Sequence, residues 1–174
     1  MVDDINIEKL SILLIDIQNV FVDHLRMGAK ERIIPKQIEI LKKCEENHIP
    51  IYVIELDAPD FPKEIMELNS QVDEALKNIQ GKVLVIKKSD NAFTGTRLEE
   101  MLTEQNITHL LLMGVNAQGC VLDTAKTAID KGFKIITSSD LIAGQPTDRE
   151  DDCAPWFKEN GVYFQRGLML FSSC

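Results

Sequence analysis

Short apolar runs alternate with helical patterns along the whole chain, and this alternation limits the possible folds more than any other feature. The apolar runs are rich in Leu, Ile and Val and are short enough to be strands buried on both faces. The spacing of apolar residues between them is typical of helices. Strands that alternate with helices predict a Rossmann-like α/β fold of three layers, with a mainly parallel sheet of about six strands. The predicted strands are residues 10–15, 50–56, 82–87, 107–113, 133–138 and a short one at 162–164.

Length and charge exclude several classes of protein. The 174 residues are enough for one domain, predicted over 1–174, with a sizeable core. The net charge of −9 argues against a nucleic-acid partner, which needs a basic face. The first residues are acidic and do not resemble a signal peptide, and no apolar run approaches the roughly 20 residues that span a bilayer. We therefore expect a cytoplasmic protein without a membrane partner.

Three chemically useful residues fall where predicted strands end. Asp16 closes the first strand, Lys87 closes the third, and Cys120 lies where the fourth strand turns into a helix. Ligands of such folds bind at the carboxyl ends of the strands, so these side chains are expected to converge. A helix N-terminus favours the thiolate form of a cysteine, which is the nucleophile. Each residue also has a structural interpretation: a loop cap, a solvated strand end or a small buried residue.

The other cysteines and the histidines suggest no metal site. Without a CxxC pair we expect free thiols. Cys44 is interpreted as a packing residue, and Cys153 has no supporting context. His24 lies near the loop after the first strand, where it either lines the pocket or is structural. No set of convergent ligands can be assembled, so we expect neither a catalytic metal nor another cofactor. The four cysteines are Cys44, Cys120, Cys153 and Cys174.

Three sequence blocks resemble the isochorismatase-like cysteine hydrolases, a family that includes nicotinamidases and N-carbamoylsarcosine amidase. The first is LLIDIQNVF at 13–21, with its Asp-x-Gln-x-x-Phe pattern. The second is Lys87, followed five residues later by Ala92-Phe93. The third is GVNAQGCV at 114–121. Each block is weak alone, but three in this order and spacing are specific, and they extend over nearly the whole chain.

The resemblance implies a catalytic triad of Asp16, Lys87 and Cys120. Lys88 is the rival to Lys87, but the spacing to Ala92 and the alternation of side chains along a strand favour Lys87. In this chemistry Asp16 takes the thiol proton, Cys120 attacks a carbonyl carbon, and Lys87 holds both by charge.

The resemblance also implies an oxyanion hole and a substrate pocket. The hole would include Asn116 and Cys120, with a cis peptide bond between residues 115 and 116. Phe21 and Phe93 are the candidate apolar walls, although core packing is equally consistent with both. Gln18 either orients the substrate or ties its loop to the sheet.

The chain departs from the zinc-dependent nicotinamidases of this family in the residues after the second strand. Those proteins place an Asp and paired histidines after the second strand, whereas this chain has Asp57 there and no histidine nearby. Nicotinamide as a substrate is therefore in doubt. The loop after the second strand is short, which leaves the pocket rim incomplete. For this reason, and from the resemblance, we expect a homo-oligomer.

The function predicted from these features is hydrolysis of a C–N bond in a small amide or ureido-type molecule. One alternative is hydrolysis of an enol ether of the isochorismate type, which can proceed by acid catalysis without a cysteine. The other is a non-catalytic, flavodoxin-like binding or signalling domain. A nucleotide-binding domain is disfavoured because neither GxGxxG nor GxxxxGK occurs.

Overall fold

Six parallel strands form one sheet, which confirms the predicted fold class. The structure is a computed structural model and describes residues 5–147, 150–164 and 166–171. All neighbouring strands pair in parallel, in the order β3-β2-β1-β4-β5-β6. The strands are β1 (Leu10–Ile15), β2 (Ile51–Leu56), β3 (Val83–Lys87), β4 (His109–Gly114), β5 (Lys134–Ser138) and β6 (Val162–Phe164).

Seven α-helices occur in the described part of the chain. The second is the longest, and Pro35 lies inside it. The acidic segment 1–4, residues 148–149 and Cys174 lie outside the described residues. Among the described residues, no helix combines the length and apolar character needed to cross a membrane. The helices are α1 (Asn19–Val22), α2 (Ala29–Glu46), α3 (Lys63–Met66), α4 (Ser70–Lys77), α5 (Leu98–Glu104), α6 (Leu122–Asp130) and α7 (Glu150–Asn160).

The sheet separates two apolar clusters, one on each face. Alternate residues of β1 enter different clusters: Leu14 packs with the helices α2 and α4, and Leu13 packs with α5, α6 and α7. This is the alternation expected of a strand covered on both faces. Cys120 belongs to the second cluster.

The strand order places a crevice at the carboxyl ends of β1 and β4. The chain moves outward from β1 to β3 and then returns to the other side of β1, so β1 and β4 flank the switch point. Gly114 ends β4 with φ +146°, and a Cβ atom there would lie 2.1 Å from the carbonyl oxygen of Ile15. Only glycine permits this approach of the two strand ends, and it occurs directly beside Asp16.

Candidate active site

Asp16, Lys87 and Cys120 meet at the carboxyl edge of the sheet. The Nζ atom of Lys87 lies 2.8 Å from Oδ2 of Asp16 and 3.4 Å from Sγ of Cys120. Asp16 and Lys87 are fully buried, and Cys120 is 7% exposed. A buried carboxylate and a buried ammonium are stable only when they are paired, so Asp16 and Lys87 depend on each other to remain charged in the interior.

Lys87, and not Lys88, is the lysine of this site. Alternation along β3 directs Val85 and Lys87 into the protein and leaves Lys88 exposed. Besides its contacts with Asp16 and Cys120, the ammonium donates a hydrogen bond of 2.9 Å to the carbonyl oxygen of Ser89. All three N–H donors of Lys87 therefore have a partner.

The Asp16 carboxylate is adapted to accept a proton. Asp16 follows β1 with φ 52°, a left-handed conformation that Asp tolerates better than most residues. Burial raises the pKa of Asp16 above its ordinary value, while the charge of Lys87 and the hydrogen bond with Cys120 oppose this shift. A raised pKa makes the carboxylate a stronger base than an exposed aspartate.

The surroundings of the Cys120 sulfur favour the thiol, whereas the helix N-terminus considered in the sequence favours the thiolate. Burial raises the pKa of Cys120 well above its ordinary value, the Asp16 carboxylate raises it further, and Lys87 opposes both effects. The helical turn Ala117–Val121 is irregular at Gly119, where φ is −99° and ψ is −109°. A helix N-terminus contributes about 0.3–1 kcal/mol, which is too little to outweigh burial beside a carboxylate. These surroundings favour a nucleophile that is generated by proton transfer.

The segment before Cys120 contains the predicted cis peptide bond, Val115–Asn116. The amide of Ala117 donates to the carbonyl of Ala143 at 3.0 Å, which anchors this segment to the chain after β5. The carbonyl of Asn116 accepts hydrogen bonds from the amides of Gly119 and Val121 at 3.1 and 3.2 Å. Asn116 and Cys120 thus lie in one compact turn, and their role as oxyanion donors stays a prediction.

Gln18 bridges two backbone segments beside the site. Its Nε2 atom donates to the carbonyls of Leu56 and Met66 at 3.0 and 2.9 Å, and its Oε1 atom accepts from the amide of Leu56 at 2.9 Å. The side chain is buried. These bonds correspond to the interpretation in which Gln18 ties its loop to the sheet.

The two candidate aromatic walls lie against different apolar clusters. Phe93 is buried in the cluster that contains Cys120 and stacks on Phe133, with ring centroids 6.0 Å apart. Phe21 is half-buried against the cluster on the opposite face of the sheet. The structure therefore brings Phe93, but not Phe21, into the packing group of the nucleophile.

Asp90 is a site residue that the sequence analysis missed. Its Oδ1 atom lies 3.7 Å from Sγ of Cys120, and its side chain is exposed. Only its position three residues after Lys87 could have indicated this contact. Nothing in the motif blocks singles out an acidic residue there.

The remaining candidates lie apart from the triad contacts. His24 is exposed, and its Nδ1 atom is 2.8 Å from the carbonyl oxygen of Val20. Cys153 is a buried free thiol. Within residues 5–147, 150–164 and 166–171, no group of three or more His, Cys, Asp or Glu side chains is arranged to hold a metal ion.

Comparison with known proteins identifies the family. The isochorismatase domain model matches residues 11–154. N-carbamoylsarcosine amidase from an Arthrobacter species is 35% identical over 99 residues, which are 55% of this chain but only 36% of that protein. Nicotinamidase 3 from Arabidopsis thaliana is 28% identical over 155 residues, or 80% of this chain and 76% of that protein.

A solved structure shows the same fold over nearly the whole length. An isochorismatase-like hydrolase from Alkaliphilus metalliredigens superposes with a TM-score of 0.83 at 23% identity, covering 95% of this chain and 99% of that one. The domain match includes Asp16, Lys87 and Cys120, and it extends over most of the chain. This protein belongs to the isochorismatase family of hydrolases.

Proposed function

We propose that this protein hydrolyses a C–N bond of a small amide or ureido-type substrate through a covalent intermediate on Cys120. The observation that carries this proposal is the contact of one ammonium, Lys87 Nζ, with both the Asp16 carboxylate at 2.8 Å and the Cys120 sulfur at 3.4 Å. It unites a base, a cation and a nucleophile within one partly buried site.

The first step forms the bond between sulfur and carbon. Asp16 accepts the proton of the Cys120 thiol while Sγ attacks the carbonyl carbon of the substrate. The negative charge that leaves Asp16 is replaced by charge on the substrate oxygen, for which the amides of Asn116 and Cys120 are the proposed donors. The Lys87 ammonium faces the negative charge at every stage.

The second and third steps release the two products. The protonated Asp16 donates its proton to the leaving nitrogen, the C–N bond breaks, and an acyl or carbamoyl thioester stays on Cys120. Water then attacks the thioester carbon, and Asp16 takes the proton of the water. The C–S bond breaks, Cys120 recovers a proton from Asp16, and the site returns to its starting state.

The relatives support C–N cleavage over the alternatives. N-carbamoylsarcosine amidase and nicotinamidase 3 are both named for the cleavage of C–N bonds. Enol-ether hydrolysis by acid catalysis would leave Cys120 unused, and a non-catalytic domain would leave the entire buried ion pair unused.

A substrate screen tests this proposal. Wild-type protein and Cys120→Ala would be incubated with amides, ureido compounds, hydroxamates and enol ethers, and the release of ammonia, amine or carbonyl product would be measured. We expect wild type to cleave a member of the C–N classes and Cys120→Ala to cleave none. Cleavage of enol ethers alone, retained by Cys120→Ala, would contradict the proposal.

We also propose that the protein is a homo-oligomer. On the edge strand β3 two apolar side chains, Leu84 and Ile86, are 58% and 48% exposed. A second copy of the chain would remove this apolar surface from water. Light scattering should report a multiple of 19.7 kDa at micromolar concentration, and a monomer alone would contradict this assignment.

A further inference from the structure

Asp90 is a carboxylate of the site that the proposed hydrolytic steps do not use. Its Oδ1 atom lies 3.7 Å from Sγ of Cys120. Unlike Asp16, which is fully buried, Asp90 is exposed to solvent. An exposed group in contact with a buried nucleophile lies on the solvent side of that nucleophile, where a substrate must pass.

Hydrogen bonds to α6 fix the loop that carries Asp90. The Nδ2 atom of Asn91 donates to Oγ1 of Thr127 at 2.6 Å. The amide of Ala92 donates to Oγ1 of the fully buried Thr124 at 3.0 Å. Asp90 is therefore held next to the nucleophile by the residues that follow it, and its charge has a defined position.

The charge of Asp90 is uncompensated within the site. Asp16 and Lys87 form an ion pair whose charges cancel, and a thiol at Cys120 adds no charge. Moving the thiol proton to Asp16 leaves the sum of the three charges at zero. Among the described residues, no Lys or Arg side chain forms an ion pair with Asp90. These three residues and Asp90 together therefore carry one net negative charge throughout the proposed reaction.

We propose that Asp90 selects substrates by charge, and that the substrate carries a protonated amine or guanidinium group near the C–N bond that is cleaved. The identification of a substrate rests on the proposed function. A cation at a hydrogen-bond distance of about 2.8 Å from Oδ1 would lie within roughly 6.5 Å of Sγ. One small molecule can span this separation. A carboxylate at the same place would be repelled by Asp90.

Thiol-specific reagents of different charge test this selection without requiring any hydrolysis. The probes are two methanethiosulfonates, one with a trimethylammonium group and one with a sulfonate group. Each forms a mixed disulfide with Cys120 and releases methanesulfinate. Quenched time courses with peptide mapping would give the two labelling rates at Cys120, and their ratio cancels any change in the reactivity of the thiol itself.

The ratio of cationic to anionic labelling should favour the cation in wild type and fall about tenfold in Asp90→Asn. The matched control is Asp130→Asn, which makes the same charge change on an exposed residue at the far end of α6. Because that site is distant and screened by salt, the ratio there should change by less than about twofold.

An unchanged ratio in Asp90→Asn would overturn the proposal, and so would failure of both reagents to label Cys120. The labelling experiment and the substrate screen can refute the charge selection and the proposed hydrolysis independently of each other. A shifted ratio in a protein that cleaves no C–N bond would refute the hydrolysis and keep the charge selection. An active hydrolase with an unshifted ratio would refute the charge selection alone.

Discussion

Two buried cysteines, Cys44 and Cys120, lie at opposite edges of the sheet and differ in what surrounds the sulfur. Cys44 is fully buried in an apolar cluster, and burial alone raises its pKa to about 12. Cys120 is also buried, but Asp16, Asp90 and Lys87 all act on it. Burial therefore raises both pKa values, and only the presence of a base and a cation makes one of the two thiols a candidate nucleophile.

Cys44 lies beside open space, but no charged group shifts the pKa of its thiol. Cys44 lines a cavity of about 320 Å³ together with His48 and Pro50, near the amino end of β2. That cavity contains a thiol and an imidazole, yet burial is the sole cause of the pKa shift of Cys44. The buried Asp16–Lys87 pair is thus a better guide to chemistry than cavity size.

The largest expected effect comes from removing each sulfur. Cys120→Ala should lower turnover by at least about a thousandfold because the covalent step is lost. Cys44→Ala should keep turnover within about twofold and lower the free energy of unfolding by roughly 1–2 kcal/mol, since it leaves a small cavity. Steady-state kinetics measures turnover, and urea unfolding measures the free energy of unfolding, for both variants. Equal loss of turnover in the two variants would erase the difference between the cysteines.

The next largest effect comes from removing the Lys87 ammonium, which contacts Cys120 but not Cys44. Lys87→Ala should lower turnover on the order of a hundredfold or more. It should also lower the free energy of unfolding by about 3–5 kcal/mol, because Asp16 loses its buried partner. The exposed Lys88 is the matched control, and Lys88→Ala should change stability by less than about 0.5 kcal/mol.

Circular dichroism would confirm that both lysine variants fold before their turnover is compared. Loss of turnover in Lys88→Ala with turnover retained in Lys87→Ala would contradict the geometry of β3. Full turnover in both variants would contradict the triad.

Thiolate absorbance in the ultraviolet tests whether the two sulfurs share the same resting state. Because both pKa values are raised, neither cysteine should show a thiolate at neutral pH, and Cys120 should ionise only above its ordinary value of 9.0. Because the folded pKa of each thiol lies above its unfolded value of 9.0, each thiol contributes to stability below pH 9.0. This contribution is lost as pH rises through the folded pKa. The difference spectrum between wild type and Cys120→Ala isolates one sulfur. A thiolate at neutral pH would show that Lys87 outweighs burial.

Gln18 lies outside the triad, and its removal should affect stability more than turnover. Gln18→Ala should lower the free energy of unfolding by about 2–3 kcal/mol because three hydrogen bonds to backbone are lost. Turnover should fall by less than about tenfold, through the position of the neighbouring loop. A large rise in KM with kcat and stability unchanged would instead show that Gln18 binds the substrate.

The sequence predicted those features that depend on periodicity and on motif spacing. Alternation along β3 distinguished Lys87 from Lys88, and the ends of the strands predicted that Asp16 and Cys120 would meet. The contact of Asp90 with Cys120 depends on the path of an irregular loop, which no periodicity reports. The sequence pointed to a helix N-terminus that favours the thiolate, but it does not show how deeply Cys120 is buried beside a carboxylate, which favours the thiol.

Trapping of the intermediate tests the central claim most directly. A substrate found in the screen would be mixed with excess protein, quenched within one turnover, and analysed by intact mass and peptide mapping. The account predicts an added acyl or carbamoyl mass on Cys120, none on Cys44, and decay of the adduct at the rate of product release. Product formed in a single turnover without any adduct on Cys120, and at the same rate in Cys120→Ala, would contradict it.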